Sequence, residues 1–227
     1  MKLSNKILLG FFGCIILYTL LAAGEVRFRG NFRGDVREGL LIESVNIGGY
    51  KHLIINSSNI EVSIDQSDTT RIEVKSEKTE DDIKLTYRLS GDSLIIDSVN
   101  MTDEVDRIIK IYLDNRIETI NSNAIRTYIR KFEIDSLTVI ANAKYLSIGD
   151  DAEIKNLRLK GFDGANVFVF SEMIGFLDLK IDDANVTVRN ELSEINAELV
   201  NGAVLSSKAP DNLQFKRDRD CKVIMYR

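Results

Sequence analysis

Aspartate pairs are the residues in this sequence best suited by type to do chemistry. Asp150-Asp151, Asp163 and Asp182-Asp183 fall close to Lys160 and Lys180. Two carboxylates held about 5–9 Å apart can divide the acid and base roles of glycan cleavage. All but Asp182 also stand beside a Gly or Ala, at the kind of corner where Asx-turns select Asp for its local hydrogen bonding. No long insertion near them would wall a cleft, so no catalytic residue is assigned. Calcium at the same corners would call for an EF-hand or a glycine-aspartate nonapeptide repeat, and neither is present. His52 is the only histidine, which excludes a His-His metal pair and the HExxH zinc motif. No metal or cofactor is expected. Glu80-Asp81-Asp82, beside Thr79 between two strand patterns, reads as a solvated turn.

Any such side chains would be positioned by strands. From Leu40 to Leu113 the apolar residues recur with period two. SNIEVSI (58–64) and TRIEVKS (70–76) alternate clearly, and IKLTYRL (83–89), SLIID (93–97) and IIKIYL (108–113) follow. Ser90-Gly91-Asp92 supplies a hairpin turn between two of them.

The second half carries an internal repeat. An apolar-x-x-apolar-x-apolar frame begins at Ile134, Ile154, Ile174 and Leu192, in steps of 20, 20 and 18 residues, and a degenerate copy ends at Leu213-Gln-Phe215. A second ladder runs beside it: Asn123-Ala124, Asn142-Ala143, Gly164-Ala165, Asp183-Ala184 and Gly202-Ala203, spaced 19, 22, 19 and 19 residues apart. Two ladders of nearly one period mark a solenoid. The first copy fits a leucine-rich repeat, with Asn142 at the asparagine position. Later copies place Phe162, Asp182 and Val200 there, and the residues after each alanine alternate as strands do: Val167-Phe-Val169, Val186-Thr-Val188, Leu205-Ser. The pattern therefore predicts a β-helix of about 19–22 residues per coil, each coil made of three short strands joined by corners, with rungs about 4.8 Å apart. Regular coils are expected over about 117–215, inside a domain spanning 40–227. The alanines suit tight inward bends, and the residue before each can take left-handed dihedrals.

Stacking is energetically required. A coil buries about six apolar side chains at ~1.5–3 kcal/mol each, while ordering twenty residues costs ~1–2 kcal/mol apiece in backbone entropy. One coil cannot fold alone; several sharing rungs can. The charged segment KRDRDCK (216–222) is expected to cap one end. Pro210, the only proline, falls at an expected corner.

The N-terminus sets a location. Ile7 to Gly24 is an uncharged apolar run preceded by Lys2 and Lys6; eighteen helical residues span about 27 Å, close to the ~30 Å of a hydrocarbon core. Residues 1–24 therefore read as a signal anchor, with a signal peptide cut near Ala22-Ala23-Gly24 or lipidation of Cys14 as alternatives. Arg27, Arg29, Arg33 and Arg37 follow the span and weigh against export by the positive-inside rule; the short basic head and small-residue exit favour it. Residues 25–39, with three glycines and four arginines, form a linker. Cys14 lies in the apolar run and Cys221 is the only other cysteine, so the fold must stand without a disulfide. The chain carries 30 Lys+Arg against 35 Asp+Glu, a net charge of -5, which excludes nucleic acid as the main partner.

With these features in place, the chain resembles the auto-transporter adhesin head domain family, often called the head GIN domain. The resemblance spans about residues 50–215 and rests on INSSNIEVSIDQS (55–67), DSLIID (92–97), RIIKIYLDNRIETI (107–120) and the coils that follow. It implies a right-handed parallel β-helix, membrane-anchored or secreted in the bacterial envelope, with no established catalytic activity. In that family the lead-in strand usually ends in proline, whereas here Asp114 follows Leu113, and Asn-Ala, Gly-Ala or Asp-Ala replaces the Ser-Gly steps common at the corners.

One place breaks the pattern. If Val167 and Val169 point inward, Phe168 and Phe170 point outward, where other coils carry Ser147, Thr187, Arg189 and Ser206. Two aromatics on a polar face either lie under another segment or form a contact patch, so Phe168 and Phe170 are the candidate binding residues. The expected function is a non-enzymatic envelope module for binding, adhesion or scaffolding. It would be tethered through its N-terminal helix, facing the periplasm or secreted, with an envelope protein or glycan as partner. A membrane-associated polymer resembling bactofilins and a glycan-active enzyme are the alternatives. A polymer needs bare complementary ends, whereas a module needs covered ones.

Overall fold

A computed structural model describes residues 40–76, 84–100, 108–171 and 173–226. The apolar run at 7–24, the linker at 25–39, Cys14 and Glu80-Asp81-Asp82 lie outside the described residues. No helix among the described residues is long and apolar enough to cross a membrane.

The described chain is all β. Strands β1 (Leu40–Asn46), β2 (His52–Ile55), β3 (Glu61–Gln66), β4 (Arg71–Ser76), β5 (Lys84–Ser90), β6 (Ser93–Asn100) and β7 (Ile108–Leu113) come first. Then β8 (Thr119–Ser122), β9 (Arg126–Arg130), β10 (Glu133–Ala141), β11 (Tyr145–Ile148), β12 (Glu153–Gly161) and β13 (Asn166–Val169) follow. The last are β14 (Met173–Asp182), β15 (Asn185–Val188), β16 (Glu194–Val200), β17 (Val204–Lys208), β18 (Asn212–Arg217) and β19 (Lys222–Tyr226). They form two sheets: sheet A in the order β1-β4-β7-β3-β9-β11-β13-β15-β17-β19, and sheet B in the order β18-β16-β14-β12-β10-β8-β2-β6-β5.

From β8 onward the chain alternates between sheet B and sheet A, each strand pairing in parallel with its counterpart one coil earlier. This is a β-solenoid of about five turns. The apolar frame is in register along it: Leu137↔Leu157↔Leu177↔Ile195 and Val139↔Leu159↔Leu179↔Ala197 stack across β10, β12, β14 and β16, all buried.

Two sheets, rather than three strands per coil, is the main departure from expectation. The missing side is a bend within the long strands of sheet B. Ile154 and Leu157 are both buried although three residues apart, which a straight strand of period two cannot do. The chain turns between them, where the pairing skips Asp135, Lys155 and Gly175. Ladder bonds continue on both sides of the bend, so the third side counts as an arm of the same strand.

The alanine corners are buried at Ala124, Ala143, Ala165, Ala184 and Ala203. Gly164, Asp183 and Gly202, each preceding one of these alanines, have φ of 75°, 46° and 77°. The two Asn-Ala corners turn without a positive φ at asparagine. The hairpin between β5 and β6 turns at Gly91, with φ of 56°.

The first half holds more solenoid than its period-two pattern reveals. β2 pairs in parallel with both β6 and β8, and β3 with both β7 and β9. Thus β2–β3 and β6–β7 are two further rungs, and they are out of sequence order: β6–β7 stacks on the far side of β2–β3. From β7 the chain must pass the β2–β3 rung to reach β8, and residues 114–118 make this crossover. Its entry is held by Asp114, whose Oδ1 accepts from the Arg116 backbone N–H (3.0 Å) and whose Oδ2 accepts from Arg116 Nη2 (2.6 Å). At its exit, the Glu118 and Thr119 N–H groups donate to the Lys51 carbonyl at 2.7 and 3.0 Å. The β2–β3 rung is fully interior: Leu53, Ile55, Ile60, Val62 and Ile64 show no exposed surface.

The two ends differ. Beyond β6–β7, the antiparallel strands β4 and β1 extend sheet A and β5 extends sheet B, so this end closes on antiparallel strands rather than on a parallel rung. At the other end β18 and β19 are the last strands. The segment 216–222 is therefore part of the final rung and its turn rather than a separate cap, and Phe215, Ile224 and Met225 on that rung are exposed. Cys221 is buried.

Candidate binding face on sheet A

Parallel pairing without slippage turns every outward position of sheet A into a column along the solenoid. One column reads Ser63, Tyr128, Ser147, Phe168, Thr187, Ser206, Ile224. Its neighbour reads Glu61, Arg126, Tyr145, Asn166, Asn185, Val204, Lys222. Val167 and Val169 are buried, which turns Phe168 and Phe170 to the outside.

There they do not stand alone. The Tyr128 and Tyr145 ring centroids are 5.8 Å apart, Tyr145 and Phe168 5.1 Å, and Phe168 and Phe170 6.2 Å with planes only 14° from parallel. The guanidinium of Arg189 lies 4.8 Å from the Phe170 ring centre. Four rings from three successive rungs thus form one continuous strip, every member half-buried. Neighbouring rings and Arg189 supply that burial. Burial pushes the Tyr128 phenol above its ordinary pKa, and the nearby Glu61 carboxylate adds to the effect.

Polar side chains flank the strip in paired charges. Arg126 meets Glu61 at 2.8 Å, Arg130 meets Asp65 at 3.3 Å, and Arg71 meets Glu73 at 3.0 Å while lying over the Tyr112 ring. Arg189 has no ion-pair partner among the described residues. Beside it is a recess of about 410 Å³ lined by Gly149, Asp150, Phe170, Arg189 and Asn190.

The aspartates singled out for chemistry lie at the corners, and those of Asp163 and Asp183 adjoin: the Gly164 N–H donates to the Asp183 carbonyl at 2.6 Å. Asp163 and Asp183 have φ of 54° and 46°, a left-handed conformation that Asp and Asn tolerate better than most residues. Asp182 Oδ1 accepts from Asn201 Nδ2 at 2.7 Å. Lys180 faces Glu198 at 3.8 Å. A larger concavity of about 680 Å³ lies where the crossover meets the bent arms; its charges are largely paired, Lys51 with Glu118 and Lys155 with Asp135. No group of three His, Cys, Asp or Glu among the described residues could hold a metal.

Phe168 and Phe170 are visible in the sequence as exceptions to a polar column. Tyr128 and Tyr145 are harder to find, because the corners differ by a residue. Tyr128 and Ser147 stand four residues after their alanines, Phe168 and Thr187 only three. Aligning coils on the alanine ladder therefore slips Tyr128 out of line with Phe168. The 22-residue step from Asn142 to Gly164 marks the change of corner.

No family model matches this sequence, and no curated protein does. Solved structures of similar fold do exist. A "putative adhesin" from Bacteroides fragilis superposes with a TM-score of 0.51 at 9% identity, covering 81% of this chain and 95% of its own. A "putative adhesin" from Parabacteroides distasonis gives 0.48 at 11% identity, covering 83% and 98%. Another from Parabacteroides merdae gives 0.42 at 10%, covering 82% and 95%. The first of these likenesses establishes a shared fold.

Proposed function

We propose that this chain is a non-enzymatic binding module of the bacterial envelope, and that its contact surface is the outer face of sheet A, engaging a glycan. The observation that carries the reading is the strip Tyr128–Tyr145–Phe168–Phe170 on an otherwise polar sheet. Flat rings set side by side offer apolar faces to the C–H faces of sugars, while the flanking Asn and Arg side chains offer donors and acceptors to hydroxyls. The adhesin wording attached to the Bacteroides fragilis structure of like fold supports an adhesive role. Resemblance to the head GIN family supports the same role and a right-handed winding, which is also the hand favoured for parallel crossovers.

The aspartates are better accounted for by corner dihedrals than by catalysis. A polymer would need two complementary ends of parallel rungs, and one end here is made of the antiparallel strands β4–β1 and β5 instead. The apolar run at 7–24 would tether the module to the membrane with the solenoid in the periplasm.

Two measurements test this. Retention of the full-length protein on immobilised oligosaccharides should fall when Phe168 and Phe170 are both replaced by Ser, with the unfolding midpoint little changed. A Phe168→Leu/Phe170→Leu pair, which keeps apolar volume but removes the flat rings, guards against a folding defect. Full retention by that pair would reject the strip as the contact surface. Protease accessibility in intact, osmotically opened and lysed cells addresses location: digestion only after the inner membrane breaks would reject the periplasmic placement.

A further inference from the structure

We propose that the recess beside Phe170 is a subsite for the carboxylate of an acidic sugar, with Arg189 as its donor. The inference deepens the glycan reading of the sheet A face and rests on it. Three observations converge on the recess.

The first is a missing side chain. Along the outward column after Ile129, Ile148, Val169 and Val188, the residues are Arg130, Gly149, Phe170 and Arg189. Gly149 puts no side chain into that column between Arg130 and Phe170. Neighbours close over it, since a Cβ there would stand 2.7 Å from Asp151 Oδ1 and 3.3 Å from Arg130 Cγ. The recess of about 410 Å³ lies beside this position, lined by Gly149, Phe170 and Arg189 among others.

The second is charge. Arg71, Arg126 and Arg130, on the same face, each hold a carboxylate of this chain. Arg189 holds none among the described residues. Its guanidinium lies over the Phe170 ring, and a stacked guanidinium keeps its in-plane N–H donors free for a planar, two-oxygen acceptor. The protein as a whole carries a net charge of -5, so a polyanion gains nothing from its overall field and needs a local cation.

The third is polar fixing around the cation. Asn190 donates from Nδ2 to the Phe170 carbonyl, which anchors the amide and leaves its oxygen as an acceptor. Asp150, also lining the recess, adds a second acceptor. Together they suit the hydroxyls of a sugar whose carboxylate sits on Arg189. The near-parallel rings of Phe168 and Phe170 form the platform along which the sugar chain continues.

The test uses the full-length protein and paired probes: immobilised uronic-acid and sialic-acid oligosaccharides, each beside the same oligosaccharide with its carboxylates converted to methyl esters. Acid forms should be retained roughly tenfold or more over their esters, the scale of a charge-assisted hydrogen bond. Arg189→Gln should abolish the preference, so that acids and esters are retained equally whatever the change in their common level, and Arg189→Lys should restore only part of it. Equal retention of acids and esters overturns the carboxylate subsite but leaves the glycan face standing. A preference that survives Arg189→Gln overturns the assignment to this recess. Retention of no oligosaccharide overturns the glycan reading itself, and this inference with it.

Discussion

Asp114 Oδ2 accepts a hydrogen bond from Arg116 Nη2 at 2.6 Å, and this contact holds the crossover by which the chain passes the β2–β3 rung. The Asp114 side chain is nearly buried, whereas that of Arg116 is largely exposed. Besides these bonds, Asp114 also accepts from Arg116 Nε at 3.2 Å and from Thr70 Oγ1 at 3.4 Å. The carboxylate thus reaches both the backbone and the side chain two residues on, and fixes the start of the crossover by hydrogen bonding.

Asp114→Asn should therefore cost about 1.5–3 kcal/mol, the scale of a hydrogen bond to a charged partner, measured by urea unfolding at neutral pH. Bonds from Arg116 hold the Asp114 carboxyl below its ordinary pKa. A depressed folded pKa means the stabilisation is fully present above the unfolded value, near 3.9, and is lost as pH falls through the folded value. Wild-type protein should lose stability more steeply than Asp114→Asn in that acidic window, and the two curves should converge below it.

The corner aspartates predict a different signature. If Asp163 and Asp183 serve their left-handed dihedrals, Gly will substitute at either site with little loss. Asp183→Val should instead lose roughly 1–2 kcal/mol, because a β-branched residue is strained at positive φ. A loss of several kcal/mol with Gly would contradict the conformational account.

Inside the coil, Ser122 and Thr127 are fully buried with their hydroxyl oxygens 2.6 Å apart. Thr127→Val leaves Ser122 Oγ only the Ala124 N–H as partner, at 3.3 Å, and should cost about 1–3 kcal/mol. Adding Ser122→Ala removes the unpaired O–H but also the acceptor of the Ala124 N–H, so the double variant should lose less than the sum of the two single changes without returning to wild type. Additive losses in the double-mutant cycle would show that the pair is not coupled.

The open rung should be the least protected. Native-state hydrogen exchange is expected to run fastest in β18 and β19, whose side chains are mostly exposed, and slowest in β8, β10 and β12, which have strands on both sides. Equal protection throughout would mean that the solenoid opens only globally.

Much of this architecture is legible in the residues. The alanine corners, the apolar frame and the inward Val167 and Val169 follow from periodicity alone, and so do Phe168 and Phe170 as exceptions. Other features are hidden for specific reasons. The β2–β3 and β6–β7 rungs lack the twenty-residue step, because antiparallel β4 and β5 are inserted between them. The bend at Asp135, Lys155 and Gly175 has no shared residue type. Tyr128 and Tyr145 join the aromatic strip only through a register that shifts at the corners. Arg189 gains meaning from the absence of a carboxylate in space, which no linear pattern records.

The out-of-order rung has a consequence for how the molecule is made. β2–β3 has no sequence-adjacent neighbour: one partner arrives only with β6–β7 and the other only with β8–β9. Its buried isoleucines cannot be shielded until the chain is complete to about Arg130, so the first productive event involves contacts of long sequence separation, and such steps are slow. Every later coil then adds to a finished template over a loop of about twenty residues. Assembly thus has a direction: a slow, entropically costly start near the N-terminal end of the solenoid, followed by rapid zippering toward its open rung. A single-residue slip in the template would be copied by each coil that follows, turning the core face of every strand toward water.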